Sequence, residues 1–266
     1  MKITVLVENT TDMPDMFTEH GLSLYIETDK HKILFDTGQT DLFVKNARSL
    51  GIDLNAVDIA ILSHGHYDHG GGLLAFLELN DHASIYMSRY AFEPHFGSGG
   101  KYVGIDEKIK LIKNRIIFTG EEFKIDDELT LYSCNEKARP YKMDNFGLNI
   151  VENGQMMPEN FRHEQYLEIC LNNDSKKVLV SGCSHKGILN IMHWFAPDIL
   201  VGGFHFMKLN PESEDKEVLR YAAEILNTYQ TIYYTGHCTG MEQYKFLKAL
   251  MGEQLNYMST GMAFEV

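Results

Sequence analysis

An α/β fold is predicted by three features of the sequence. Short apolar runs rich in β-branched residues alternate with segments of helical periodicity. One run, "VDIAILS" (Val57 to Ser63), is apolar almost throughout, as expected for a strand buried on both faces. Ligand-type side chains then recur at the carboxyl ends of such runs, in "LSHGHYDHGGG", "SGCSH", "GGFH" and "TGHC".

Taken in order, "ITVLVE" (Ile3 to Glu8), "LSLYIET" (Leu22 to Thr28) and "HKILFDTG" (His31 to Gly38) read as strands, the last two joined by a tight Asp29-Lys30 turn. A helix is predicted from Asp41, with Leu42, Phe43, Ala47 and Leu50 on its apolar face and Gly51 at its end. Val57 to Ser63 forms the next strand, and "GGLLAFLEL" the helix after it. In the second half, strands are predicted at Gln165 to Leu171, Lys177 to Gly182, Asp198 to Gly202 and Thr231 to Thr235. Helices are predicted at Gly187 to Phe195, Glu214 to Leu226 and Met241 to Met251. Between the halves, approximately residues 90–141 have weaker periodicity and read as an insertion with a hairpin around "FKIDDELTLY" (Phe123 to Tyr132). No Pro-rich linker interrupts residues 1–266, so a single compact domain is expected.

A net charge of −13 argues against a general nucleic-acid binder, while leaving room for a local basic pocket. No apolar run approaches the ~18 residues of a membrane span. The first strand is ended at once by Glu8 and Asn9 and lacks the longer apolar stretch of a secretion signal. Cys134, Cys170, Cys183 and Cys238 are scattered and are expected to be reduced thiols, which makes a cytoplasmic location the default.

The run His64-x-His66-x-Asp68-His69 gathers side chains that suit zinc and neighbouring first-row metals. Helical geometry would throw His64 and His66 to different sides. On a loop at a strand end, with Gly65 between them, both can turn to one ion, leaving Asp68 and His69 for a second. Gly70 to Gly72 is expected to bend the backbone sharply into the next helix. Further ligands are sought at other strand ends, where His185, His205 and His237 each follow an apolar run and glycine.

These motifs resemble the metallo-β-lactamase superfamily. His64 to His69 carry its signature, "ILFDTG" with Asp36 its upstream motif, and "TGHC" with His237 its last ligand motif. Together with "EHGLS", "GCSHKGILN" and "VGGFH", they resemble the branch of dihydropterin (ribofuranosyl)aminobenzene phosphate synthase and its metal-dependent hydrolases. The resemblance implies a four-layered αβ/βα sandwich with an insertion between its halves. It also implies two divalent ions, zinc first, with iron or manganese as alternatives. His64, His66 and His185 are assigned to one ion, and Asp68, His69 and His237 to the other. Cys183 stands where the superfamily places a bridging aspartate, so it is either a ligand or a small buried thiol. His163 is the rival to His185. Asp36 is expected to accept a hydrogen bond from a ligand imidazole, and His20 to reach the site mouth or to sit in a solvated loop.

The implied function is metal-dependent hydrolysis of a small ester, lactone or phosphate-containing substrate by a metal-activated hydroxide, with Asp68 and His205 as catalytic candidates. The alternatives are a synthase-type transfer onto a dihydropterin and an iron-loaded redox or sensing protein on the same fold. The expected partner is a small molecule, phosphate- or pterin-containing, with neither nucleic acid nor membrane; a homodimer is an option. Lys101, Lys108, Lys110, Lys113 and Arg115 are candidates for holding a phosphate, and Tyr90, Phe92, Phe96 and Tyr102 for stacking on a ring.

Overall fold

The computed structural model describes residues 1–112, 114–171 and 176–266; Lys113 of the basic cluster lies outside the described residues. Strands in the first part are Lys2–Val7 (β1), Ser23–Glu27 (β2), Lys32–Phe35 (β3), Ile59–Ile61 (β4), Ser84–Ser88 (β5), His95–Phe96 (β6), Ile116–Thr119 (β7), Glu122–Lys124 (β8) and Leu129–Tyr132 (β9). They continue as Asn149–Glu152 (β10), Gln155–Pro158 (β11), Tyr166–Leu171 (β12), Lys176–Val180 (β13), Ile199–Val201 (β14), Ile232–Thr235 (β15), Leu255–Tyr257 (β16) and Ala263–Glu265 (β17). The α-helices are Leu42–Ser49 (α1), Tyr67–Gly70 (α2), Leu73–Leu79 (α3), Ile188–Phe195 (α4), Lys216–Leu226 (α5) and Met241–Met251 (α6). Among the described residues, no helix is long and apolar enough to cross a membrane.

The chain divides into two compact units. The first comprises residues 1–120, 147–165 and 259–266. Its main sheet has the order β17-β1-β2-β3-β4-β5-β7, antiparallel from β17 to β3 and parallel from β3 to β7. Ile59, Ala60 and Ile61 of β4 are all buried, as the unbroken apolar run requires. Phe43, Val44 and Ala47 of α1 pack with Leu73 and Phe76 of α3 on Leu6, Leu34, Ala60 and Ile85 of the sheet. Those helical residues recur every three or four positions, so one face enters the core. A small antiparallel sheet, β11-β10-β6, belongs to the same unit.

The second unit comprises residues 121–146 and 166–258. Its sheet runs β16-β15-β14-β13-β12-β9-β8, parallel from β13 to β16 and antiparallel elsewhere. Ile188, Ile191 and Met192 of α4, Leu219 and Ala223 of α5, and Leu247 of α6 close over Leu179, Leu200 and Tyr233. The hairpin predicted around residues 123–132 is present as β8 and β9. All four cysteines are free thiols.

Two local expectations are corrected. Gly71 and Gly72 have φ/ψ of −65°/−33° and −80°/−2°, ordinary right-handed backbone, so they do not make a sharp bend. They are glycines because a Cβ there would lie 2.2 Å from Gln39 O and 2.4 Å from Thr37 O, where the loop after β3 crosses. Three of the described residues in the basic cluster already have partners. Arg115 spends its guanidinium on Asn80 and on the Ala83 carbonyl, Lys110 pairs with Glu107, and Lys101 lies over the Tyr67 ring. Phe92 packs partly against the core and also lines a cavity with Tyr102.

Candidate metal centre

In the first unit the H-x-H-x-D-H run leaves β4 as a loop through His66, then winds into the single turn α2 that carries Asp68 and His69. The i, i+2 pair is therefore on extended chain, while Asp68 and His69 lie one step on in a helical turn. Their rings gather closely, with His64 centroids 4.7 Å from His66 and 4.1 Å from His69.

Asp36, at the end of β3, organises this group. It has φ +59°, a left-handed conformation that costs energy in a non-glycine residue and is held here by its partners. Its carboxylate accepts Ser63 N–H at 2.7 Å, Ser63 Oγ–H at 2.7 Å and His69 Nδ1–H at 2.6 Å, all buried. The Ser63 hydroxyl has only one proton and gives it to Asp36, so it accepts from His64 Nδ1–H at 2.8 Å. Both imidazoles are thereby set in the tautomer that presents an Nε2 lone pair, the form a metal ion needs. Burial, reinforced by the neighbouring His64 and His95 rings, holds the His66 imidazole well below its ordinary range, so it too is neutral. The donor set and its protonation thus fit a divalent cation.

His20 Nε2 lies 3.3 Å from Asp68 Oδ2, and this hydrogen bond raises the His20 pKa against the opposing effect of burial. His163 is buried in the same unit, and its Nδ1 accepts the Gly65 N–H at 2.8 Å. A neutral imidazole that accepts at Nδ1 carries its proton on Nε2. Sequence reasoning missed two neighbours, His95 and Glu159. Ring nitrogens of His66, His95 and His163 and a carboxylate oxygen of Glu159 all lie within 4.8 Å of one another. Neither newcomer stands in a motif. His95 arrives because β6 pairs with β10, opposite Ile150, and Glu159 because it directly follows β11.

In the second unit the loops after β13, β14 and β15 carry Cys183 and His185, His205, and His237. Each loop holds a left-handed non-glycine residue: Ser184 (φ +60°), His205 (φ +57°) and His237 (φ +49°). Three left-handed non-glycine residues thus stand at the ends of adjacent strands. Cys183 is buried, and its Sγ lies within 4.8 Å of a ring nitrogen of His185 and of one of His237. His205 stands with its ring centroid 4.1 Å from that of His185. Both line a cavity of about 690 Å³ whose wall also includes Tyr141, Phe146 and Tyr221. The Tyr141–Phe146 side of that cavity comes from irregular chain, which carries no periodic signal.

A family model for the metallo-β-lactamase superfamily matches residues 17–133. An uncharacterized protein of Methanocaldococcus jannaschii is 29% identical over 255 residues, covering 90% of this chain and 91% of its own. The 7,8-dihydropterin-6-methyl-4-(beta-D-ribofuranosyl)-aminobenzene-5'-phosphate synthase of the same organism is 30% identical over 277 residues, covering 91% of this chain and 88% of that protein. Among solved structures, a metal-dependent hydrolase of the β-lactamase superfamily superposes with a TM-score of 0.84 at 28% identity, covering 100% of this chain and 99% of that one. A metallo-β-lactamase fold protein from Bacillus subtilis, at TM-score 0.61 and 14% identity over 100% and 98% of the two chains, shares the fold. With the α/β sheets, the H-x-H-x-D-H turn and these similarities together, the chain belongs to the metallo-β-lactamase superfamily.

Proposed function

We propose that this protein is a metal-dependent hydrolase of a small ester, lactone or phosphate-containing substrate. In this reading His64, His66 and His185 hold one divalent ion, and Asp68, His69 and His237 the other. Zinc is the expected metal for such imidazole and carboxylate donors. The observation that carries the proposal is the Asp36–Ser63 pair, which directs the Nδ1 protons of both His64 and His69 inward. When bound, such ions acidify water and polarise a carbonyl or phosphoryl oxygen.

The protein's own groups supply the rest. Asp36 keeps the proton on His69 Nδ1, and Ser63 receives that of His64. Asp68 is hydrogen-bonded by His20, and both are catalytic candidates for proton handling at the reacting group. His205, beside His185 on the wall of the cavity, is placed to contact substrate. Tyr141, Phe146 and Tyr221 give that wall an aromatic character suited to a ring-bearing substrate.

That character, with the synthase among the relatives, favours a second reading: transfer onto a dihydropterin, with pyrophosphate leaving. The two are separated by assaying a phosphodiester, a lactone and a dihydropterin pyrophosphate with an aminobenzene ribose phosphate acceptor, before and after chelation and metal restoration. Metal-dependent turnover of the first or second supports the hydrolase, and coupling of the third supports the transferase. No metal-dependent turnover of any of them contradicts both. The ligand assignment has its own test. His185→Ala is expected to lower metal content and His163→Ala to preserve it; the opposite pattern would show His163 to be the ligand.

A further inference from the structure

Asn190, on α4, is buried and plays no part in the site described above. Its side chain is nevertheless fully committed to main chain. Oδ1 accepts the Tyr141 N–H at 2.9 Å, while Nδ2 donates to Tyr141 O at 2.9 Å and to Lys186 O at 2.8 Å. A carboxamide is the neutral side-chain group that combines such an acceptor with two donors. The exchange with Tyr141 imitates a hydrogen-bonded pair of antiparallel strands, although Tyr141 lies in irregular chain.

Residues 138–146 of that chain form a strap with further anchors. Trp194 Nε1–H, one turn further along α4, donates to Ala138 O at 2.8 Å. Lys208 Nζ, in the loop after β14, donates to Phe146 O at 2.6 Å. Asp144 Oδ1 accepts the Phe146 N–H at 2.7 Å, closing a turn in which Phe146 has φ +50°. Holding irregular chain in one conformation costs entropy, which these bonds offset. What they hold in place is a cavity wall. Tyr141, Met143 and Phe146 line the cavity from the strap, and the Phe146 ring stands edge-on to His205 at 5.1 Å. His205 in turn stands beside His185, so the strap faces the same cavity as a proposed metal ligand.

We propose that the strap of residues 138–146 selects a substrate bearing a flat aromatic ring, and that Asn190 is the residue that positions it. The proposal rests on this cavity being the substrate site of the function proposed above. A ring in the cavity meets Tyr141 and Phe146 only while Asn190 holds the strap against α4. The same amide ties the strap to the Lys186 carbonyl, next to His185, so one side chain holds the ring wall in register with the reacting end. Asn190 itself touches no substrate.

The test compares benzyl phosphate with ethyl phosphate as ligands of the full, zinc-loaded chain, by calorimetry. Both carry the same phosphate monoester, so a change at the metals alters both affinities alike and cancels in their ratio. Wild type is expected to prefer benzyl phosphate by about 10-fold or more, the gain from burying a phenyl ring. In Asn190→Asp the preference should fall to about twofold, because a carboxylate has no proton to give the Tyr141 and Lys186 carbonyls. Trp194→Phe and Lys208→Met each remove one exposed anchoring bond and should lower the preference by less; they decide the matter if Asn190→Asp does not fold. General loosening of the fold would weaken both ligands and leave the ratio unchanged. An undiminished preference in the folded variants therefore overturns the proposal. If wild type binds both phosphates only with zinc but equally well, this inference alone fails. If it binds neither, the functional reading fails with it.

Discussion

Asp36→Ala is expected to lose both stability and metal affinity. Three donors, Ser63 N–H, Ser63 Oγ–H and His69 Nδ1–H, point at that carboxylate from within 2.7 Å, and none of them is exposed. Removing the acceptor from a buried network of this kind costs about 3–5 kcal/mol. Metal affinity should fall by about 10- to 100-fold, because His69 then has nothing to hold its proton on Nδ1. Asp36→Asn separates the two effects. An asparagine oxygen can still accept from Ser63 N–H, but its amide nitrogen would oppose the His69 Nδ1–H. The ring then relaxes by moving its proton to Nε2, the nitrogen meant for the ion. Affinity should therefore drop in Asn as in Ala, with a smaller loss of stability. Urea unfolding of the metal-free protein and chelator competition on the loaded protein measure the two separately. Equal stability losses in the two variants, or wild-type affinity in Asn, would contradict this account.

Gly65→Ala should disable the site from the backbone side. A Cβ at residue 65 would lie 2.1 Å from Ala91 O and 2.8 Å from Ala91 C, both main-chain atoms that no rotamer change can move. Overpacking of this type costs about 1–3 kcal/mol. The displaced loop would also break the Gly65 N–H bond to His163 Nδ1 and shift His64 and His66, which flank it. Activity should fall by about 100-fold, the usual consequence of an ångström-scale misplacement of catalytic groups. A variant with a wild-type melting temperature and turnover number would show that the loop tolerates a side chain here.

The legible parts of this molecule were those governed by periodicity and local chemistry. Val57 to Ser63 declared a buried strand because every residue of the central Ile59–Ile61 stretch must be apolar. The H-x-H-x-D-H run was readable because its members are adjacent in sequence, and α4 to α6 because their apolar faces recur at helical spacing. Glu159 and His95 were not readable, since only the pairing of β6 with β10 and the course of the chain after β11 bring them to His66. The strand Ala263–Glu265, at the edge of the first sheet beside β1, is too short to carry an alternation signal. Arg115 was misread for a related reason: a cation looks alike in sequence whether it awaits a phosphate or is committed to the Asn80 and Ala83 carbonyls. Gly71 and Gly72 marked a real constraint, but one of close approach by residues 37–39 rather than of backbone turning.

The central claim, that the motif histidines hold a catalytic metal, is tested most directly by metal analysis of the purified chain beside His64→Ala, both first checked for folding. The account predicts about two equivalents of divalent metal per wild-type chain and a clear loss in the variant, with hydrolytic activity lost in parallel. Less than one equivalent in the wild-type protein, unchanged by His64→Ala, would contradict it.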